Sequence, residues 1–204
     1  MMYNSLTGRG RSAAMLSLFV ACIIFLQACS SKKIDSHLMP TSGDSRAWND
    51  KSASFNAEGK YQEALGAAER AIVLDPALSL AWNNKAVALI GLGRTAEAIE
   101  AADRAVELQK DNALAWSNKA VALRLSGRVD EALKAVETAL RLQPQNGQIL
   151  YNKACYLSLL GKQAEALDLV KHAIELEPSL KSVAAGDEDL RALRDNPDFQ
   201  NLIR

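Results

Sequence analysis

The pattern of hydrophobic and polar positions repeats along the chain with a spacing of 34 residues. Residues 81–89 read Ala-Trp-Asn-Asn-Lys-Ala-Val-Ala-Leu, and residues 115–123 repeat them with Ser117 in place of Asn83. The same register extends in both directions from this pair. Five series of identical residues follow it: Trp48, Trp82 and Trp116; Lys51, Lys85, Lys119 and Lys153; Gly59, Gly93, Gly127 and Gly161; Ala64, Ala98, Ala132 and Ala166; and Ala71, Ala105, Ala139 and Ala173. Self-similarity at a fixed period of this length indicates a repeat array.

Each unit contains two apolar series of helical period, separated by a glycine. In the second unit, Trp82, Ala86 and Leu89 fall on one face of a first helix. Gly93 predicts the end of that helix, because glycine readily adopts the left-handed conformation found after helix C-termini. A second helix carries apolar residues at spacings of three and four, namely Ala98, Ala102, Ala105 and Leu108. The sequence therefore predicts a succession of helix–turn–helix units.

These units resemble the tetratricopeptide repeat, a helix–turn–helix motif of the same length. The Trp, Gly and Ala series stand at the family's positions, and proline closes three of the four units, at Pro76, Pro144 and Pro178. Two positions depart from the family: lysine stands where Leu is more usual, and Ala or Val replaces the aromatic after the central Ala. The resemblance implies an all-α fold, a right-handed superhelical α-solenoid of four helix pairs, at residues 45–78, 79–112, 113–146 and 147–182.

Residues 183–204 are predicted to form helices that cap the array. A cap is needed because the last unit of a stacked array has no neighbour to cover its apolar face. Leu190 and Leu193 point inward in one short predicted helix. Asn196 and Pro197 then break it, and Pro197 is well placed to start a last helix that carries Phe199.

The N-terminal 28 residues are predicted to be a signal peptide. Arg9 and Arg11 precede an apolar run at residues 13–26, which is too short to cross a bilayer comfortably. An uncleaved signal anchor, or a secretory signal cut elsewhere, would share these features.

The run ends in Leu26-Gln27-Ala28-Cys29, which resembles the lipobox of bacterial lipoprotein precursors. The resemblance implies cleavage before Cys29 and attachment of a diacylglyceryl group to its sulfur, so that lipid anchors the chain to a membrane. Because Ser30 rather than Asp follows the cysteine, the family pattern implies the outer membrane, on its periplasmic face. Residues 29–44 are polar and lack helical or strand period, which predicts a flexible tether with a span of roughly 20 Å.

Composition and charge exclude several classes of function. The chain carries 24 basic and 24 acidic residues, and no basic stripe indicates binding to nucleic acid. Of the three cysteines only Cys155 falls in the array, where it is interpreted as a small apolar filler. The sequence contains no phosphate-binding loop, no zinc-ligand spacing and no catalytic triad pattern. We therefore expect no enzymatic activity, cofactor, metal or small-molecule substrate.

First-helix residues line the concave groove of such arrays, and this groove is the predicted partner site. Asn84, Asn118 and Asn152 recur at one register, which predicts a ladder of amides; we call them the asparagine ladder. Amides both donate and accept, so the ladder suits the backbone of an extended peptide. Bonding between neighbouring helices is the alternative role for these amides.

An apolar floor is predicted between the amides, with Tyr151 beside its last rung. The floor comprises Leu80, Val87, Leu114, Val121 and Leu125. It would accept a hydrophobic or amphipathic segment, unless a neighbouring copy or the chain's own terminal helices cover it.

The positions at which related arrays hold the carboxylate of chaperone tails carry no cation in this sequence. Those positions hold Asn49, Ala53, Asn84, Leu114 and Asn118, which argues against recognition of that kind. The lysine series could form a basic edge, but long stems that cover apolar neighbours while the charge stays in water are the expected arrangement.

The sequence thus predicts a lipid-anchored scaffold that binds a protein or peptide segment in the cell envelope. One alternative is an accessory subunit or a small enzyme with its site near Asp187, Glu188 and Asp189. A second alternative is a structural protein that associates with itself through uncapped ends.

Overall fold

The computed structural model describes residues 44–204. Within this part of the chain all regular structure is helical. The predicted signal peptide, Cys29 and all of the predicted tether but its last residue lie outside the described residues. The helices are α1 (Ser45–Ala57), α2 (Tyr61–Leu74), α3 (Ser79–Gly91), α4 (Thr95–Leu108), α5 (Ala113–Leu125), α6 (Val129–Leu142), α7 (Gly147–Leu159), α8 (Gln163–Leu176), α9 (Leu180–Gly186), the 3-10 helix η1 (Glu188–Leu193) and α10 (Pro197–Ile203).

The four recurring glycines end the first helices, as their spacing predicts. Gly59, Gly93, Gly127 and Gly161 all have φ between 72° and 81°. After Gly59 the backbone N–H of Lys60 donates to the carbonyl of Phe55 at 2.9 Å, which satisfies a carbonyl at the helix end. The same bond recurs after the other three glycines, so each repeat turns in the same way.

Consecutive helices pack in antiparallel pairs that stack along the chain. Each first helix contacts its own second helix, and each second helix contacts the next first helix. First helices also contact one another more closely than second helices do, so the first helices α1, α3, α5 and α7 line the concave side. This arrangement confirms the predicted all-α solenoid of four helix pairs.

The small residues at the centre of the second helices are buried in the core. Ala68, Ala102, Val136 and Val170, which replace the family's aromatic residue, are 0–1 % exposed. Their small side chains let neighbouring helices approach each other, and close packing at such points gives the array its regular spacing.

The C-terminal cap predicted from the sequence is present. Leu180, Leu190, Leu193 and Phe199 are buried with the core of the third and fourth repeats. Asn196 caps α10 by accepting hydrogen bonds from the backbone N–H groups of Asp198 and Phe199, and Pro197 is in its first turn. No helix within residues 44–204 combines the length and apolar character that crossing a membrane requires.

Candidate partner-binding groove

The amides of the asparagine ladder join each first helix to the one before it. Asn84 Nδ2 donates to the side-chain oxygen of Asn49 at 2.9 Å and to its backbone carbonyl at 3.3 Å. Asn118 Nδ2 donates to Asn83 Oδ1 at 2.9 Å, and Asn152 Nδ2 donates to Ser117 Oγ at 3.3 Å. Helix-to-helix bonding, the alternative role, is therefore what the unbound array shows. Contact with a peptide stays a prediction.

Burial of the ladder decreases along the array. Asn84 is 7 % exposed, whereas Asn118 and Asn152 are half-buried. The first rung is thus part of the core, and the later two rungs retain some contact with solvent.

The predicted apolar floor is uneven in its exposure. Leu80 is 47 % exposed, and Leu114 and Leu125 are half-buried. Val87 and Val121 are 7 % and 9 % exposed, because they lie deeper between the first helices. Leu80, Leu114 and Leu125 are accordingly the apolar side chains of the floor that a partner reaches on the first three repeats, and Leu80 and Leu114 lie one repeat apart.

The fourth-repeat end of the groove is covered by the chain's own C-terminal residues. Tyr151 is 1 % exposed, and its hydroxyl donates to Asp187 Oδ2 at 2.9 Å. Arg124, at the end of α5, forms an ion pair with Asp189 of η1. The prediction that Tyr151 borders an open groove is therefore wrong in the unbound molecule, since the cap packs over α7 and buries its side chain.

Sequence reasoning missed Arg124 as a groove cation, and it considered Asp187, Glu188 and Asp189 only as the place of an alternative enzyme site. The signal was present in part: a cation on a first helix, and two aspartates separated by one residue just after the array. Without the fold, nothing brings residues 65 positions apart into contact.

Burial controls the ionisation of the groups in this covered end. Burial raises the pKa of Asp187 above its usual value, although the Tyr151 hydroxyl and the charge of Arg124 act in the opposite direction. Burial likewise raises the pKa of the Tyr151 hydroxyl and of the Cys155 thiol. Cys155 is therefore a neutral thiol rather than a nucleophilic thiolate, in keeping with its interpretation as a filler.

Cys155, Asp187 and Asp189 place ligand-type atoms within 4.8 Å of one another. Both carboxylates already have protein partners, since Asp187 accepts from Tyr151 and from the backbone N–H of Asp189, and Asp189 pairs with Arg124. The cluster therefore serves to hold the cap on the groove.

The lysine series lies between repeats. Lys85 pairs with Glu69 at 3.1 Å and lies over the ring of Trp82, with Nζ 5.7 Å from the ring centroid. Lys119 repeats this arrangement with Asp103 and Trp116. The expectation that the charges stay in water is wrong for these two lysines, because each ammonium group lies over a tryptophan ring and beside an acidic residue of the preceding second helix, so they do not form an unpaired basic edge.

Comparison with known proteins identifies the repeats. Two family models, both described as tetratricopeptide repeat, match the chain, one at residues 53–113 and 83–146 and the other at residues 135–168. Together they cover residues 53–168, which is more than half of the chain. A search of curated proteins finds no match.

Solved structures of similar fold include complexes with peptides. The second TPR domain of human RPAP3, in complex with an HSP70 peptide, is 28 % identical, covers 53 % of this chain and 91 % of its own, and has a TM-score of 0.51. The first TPR of Spaghetti (RPAP3), bound to an HSP90 peptide, is 24 % identical over 62 % and 99 % of the two chains, with a TM-score of 0.55. MamA is 18 % identical over 87 % and 98 % of the two chains, with a TM-score of 0.59. The register of the repeats, the family models and these folds agree, and the chain belongs to the tetratricopeptide repeat family.

Proposed function

We propose that this protein is a lipid-anchored adaptor of the cell envelope that binds an extended protein segment on the concave side of its first three repeats. The observation that carries this proposal is the exposure of Leu80 at 47 % on a first helix of a solenoid. An apolar patch in a concave surface marks a docking site, and Leu80 together with the half-buried Leu114 and Leu125 supplies apolar surface on successive first helices. The peptide complexes of the similar RPAP3 domains support the same use of the fold.

The chemistry of the open groove favours a segment with apolar side chains. Leu80 and Leu114 would contact those side chains, and the half-buried amide of Asn118 would face its backbone. This amide donates one bond within the protein, to Asn83, and it retains a second N–H and further acceptor capacity for a ligand.

Capture of envelope proteins by photo-crosslinking tests the groove. We would place a photoreactive residue at Leu80 in the full chain and identify what it captures. We expect Leu80→Glu together with Leu114→Glu to abolish capture of the same protein by a tagged chain, because charge in an apolar contact must be desolvated. Val73→Glu is the matched control, since Val73 is 71 % exposed on a second helix. Equal loss in both variants would contradict groove binding.

The anchor at Cys29 is tested separately. We expect palmitate labelling of the chain in cells to disappear in Cys29→Ser and to persist in Cys22→Ser. Labelling that survives Cys29→Ser would show that another residue carries the lipid. Scaffold and anchor are independent, because one depends on the array and the other on the leader.

The two alternatives have their own tests. A site near Asp187 and Asp189 has little support, since both side chains are buried and partnered. That alternative would be favoured if the purified protein turned over a substrate and Asp189→Asn abolished this activity. Light scattering that reports a monomer at high concentration would exclude association through the ends of the array.

A further inference from the structure

The covered end of the groove holds a short acidic segment of the chain itself. We call residues 187–193 the closing segment. Its Asp187 accepts a hydrogen bond from the hydroxyl of Tyr151, and its Asp189 pairs with the guanidinium of Arg124. Both donors lie on first helices, α7 and α5, which form the partner side of the array. The closing segment therefore sits where a bound peptide would sit.

The contacts of the closing segment have the character of ligand recognition. The side chains of the Arg124–Asp189 pair are 17 % and 5 % exposed, and charge-assisted bonds of this kind fix the register of a bound segment. Leu190 and Leu193 are 0 % and 1 % exposed and fill apolar space between α7 and its neighbours. Glu188, between the two aspartates, faces outward and pairs with Arg194. The pattern that the groove reads is therefore Asp-x-Asp-Leu-x-x-Leu.

Attachment in the same chain gives the closing segment a large advantage over any free ligand. A short connection corresponds to an effective concentration on the order of millimolar. A separate acidic segment of the same intrinsic affinity would have to exceed that concentration to replace it.

We propose that Arg124 and Tyr151 form a receptor for an acidic segment of the Asp-x-Asp-Leu-x-x-Leu type, that the closing segment is its resident occupant, and that a protein partner with such a segment binds there in competition with it. This inference rests on the proposed function in one respect: both place a bound segment against the first helices. It requires no contact with Leu80 or Leu114.

Binding of a labelled synthetic peptide of residues 185–204 to the full chain tests the proposal. We would compare the unaltered chain with a variant in which Asp187→Asn, Asp189→Asn and Leu190→Ala weaken the closing segment. We expect the weakened variant to bind the peptide at least about tenfold more tightly, because the competitor in cis is weaker. Adding Arg124→Ala should remove that gain, whereas Arg94→Ala, which alters an exposed arginine paired with Glu97, should leave it. Absence of binding to a weakened variant that stays helical would overturn the proposal.

A charge exchange gives an answer even if the weakened variant fails to fold. Arg124→Asp repels the chain's own Asp189, and it should bind a peptide carrying Asp189→Arg at least about tenfold more tightly than the unaltered peptide. A cap that only covers the core would show no such preference, and equal affinities would overturn the proposal. Capture through Leu80, measured on the same variants, reports on the proposed function independently.

Discussion

Gly127 shows how single residues set the geometry of each repeat. Its φ is +81°, and a Cβ added there would meet no atom within 4 Å. The cost of a side chain at this position is therefore the cost of the left-handed backbone alone. We expect Gly127→Ala to lower the free energy of unfolding by about 1–2 kcal/mol, measured by urea denaturation.

Gly66 is the matched control for this substitution. It lies inside helix α2, and a Cβ there would also meet nothing within 4 Å. Gly66→Ala should raise the free energy of unfolding by about 0.5–1 kcal/mol, because alanine is the better helix former. A loss of stability in both variants would show that the backbone conformation does not decide the effect.

Asp187 makes stability depend on pH in a defined direction. Burial raises its pKa in the folded chain above the ordinary value of an aspartate, so the folded state holds this proton more tightly than the unfolded state. Its contribution to stability is full below the unfolded pKa and is lost as pH rises through the folded pKa. Asp187→Asn removes this contribution and keeps a polar group for Tyr151. We expect the urea midpoint of Asp187→Asn, relative to that of the unaltered chain, to rise as the pH increases from about 4, the unfolded pKa of an aspartate, toward neutral pH.

A relative midpoint that stays constant over this range would contradict the raised pKa. Asp198→Asn is the matched control, because that carboxylate is largely exposed, with 70 % of its side chain in solvent. It should show no comparable increase toward neutral pH.

At the scale of helices, the asparagine ladder fixes how successive first helices meet. Asn84 is buried and donates two hydrogen bonds to Asn49, which is itself 7 % exposed. Asn84→Ala leaves the buried carbonyl oxygens of Asn49 without this donor, so we expect a loss of about 1–3 kcal/mol in the free energy of unfolding. Urea denaturation followed by circular dichroism would measure it.

Asn152→Ala is the comparison within the same ladder. Its amide is half-buried and donates a single bond of 3.3 Å to Ser117, so less hydrogen bonding is lost with it than with Asn84. We expect a loss below about 1 kcal/mol. Equal losses of unfolding free energy in Asn84→Ala and Asn152→Ala would contradict the idea that burial sets the strength of these hydrogen bonds.

The repeat register predicted which residues of different helices correspond, but it could not predict their partners. Trp82 Nε1 donates to the carbonyl of Pro76 at 2.9 Å, and Trp116 Nε1 donates to that of Lys110 at the same distance. The turn is thus held alike with and without proline. Lysine at the family's usual Leu position is explained by two contacts: its own helix supplies a tryptophan ring, and stacking brings an acidic residue of the preceding second helix to the same ammonium group.

At the scale of the whole molecule, the cap protects one end of a one-dimensional array. Phe199 is 1 % exposed and belongs to the core of the third and fourth repeats. We expect Phe199→Ala to cost about 3–5 kcal/mol at this end of the array. Because stability in stacked repeats depends on neighbours, amide hydrogen exchange should accelerate first in α7 and α8 and last in α1 and α2.

Leu176→Ala provides the control for that measurement. Leu176 lies at the end of α8 but is 38 % exposed, so its removal should change exchange in α7 far less. Uniform acceleration over all four repeats in Phe199→Ala would show that the array unfolds as one cooperative unit.

The sequence by itself determined the helices, their turns and their stacking order. Local signals carry that information: apolar residues at helical spacing, a glycine where φ must be positive, and a period of 34 residues that places identical residues in identical environments. The end cap was also predictable, because Leu190 and Leu193 lie at helical spacing and Asn196-Pro197 marks the start of the helix that carries Phe199.

Only the tertiary structure decided which part of the groove is open. The Arg124–Asp189 contact joins residues far apart in sequence, and neither residue belongs to a repeated series. Tyr151 occupies a groove position in its repeat, yet it is buried because the chain returns over α7 after the last helix pair. The 34-residue period predicts how each repeat packs against its neighbours. It does not predict the path of the C-terminal segment, because that path depends on residues that are not repeated. Their charges and shapes meet complementary partners only in the folded molecule.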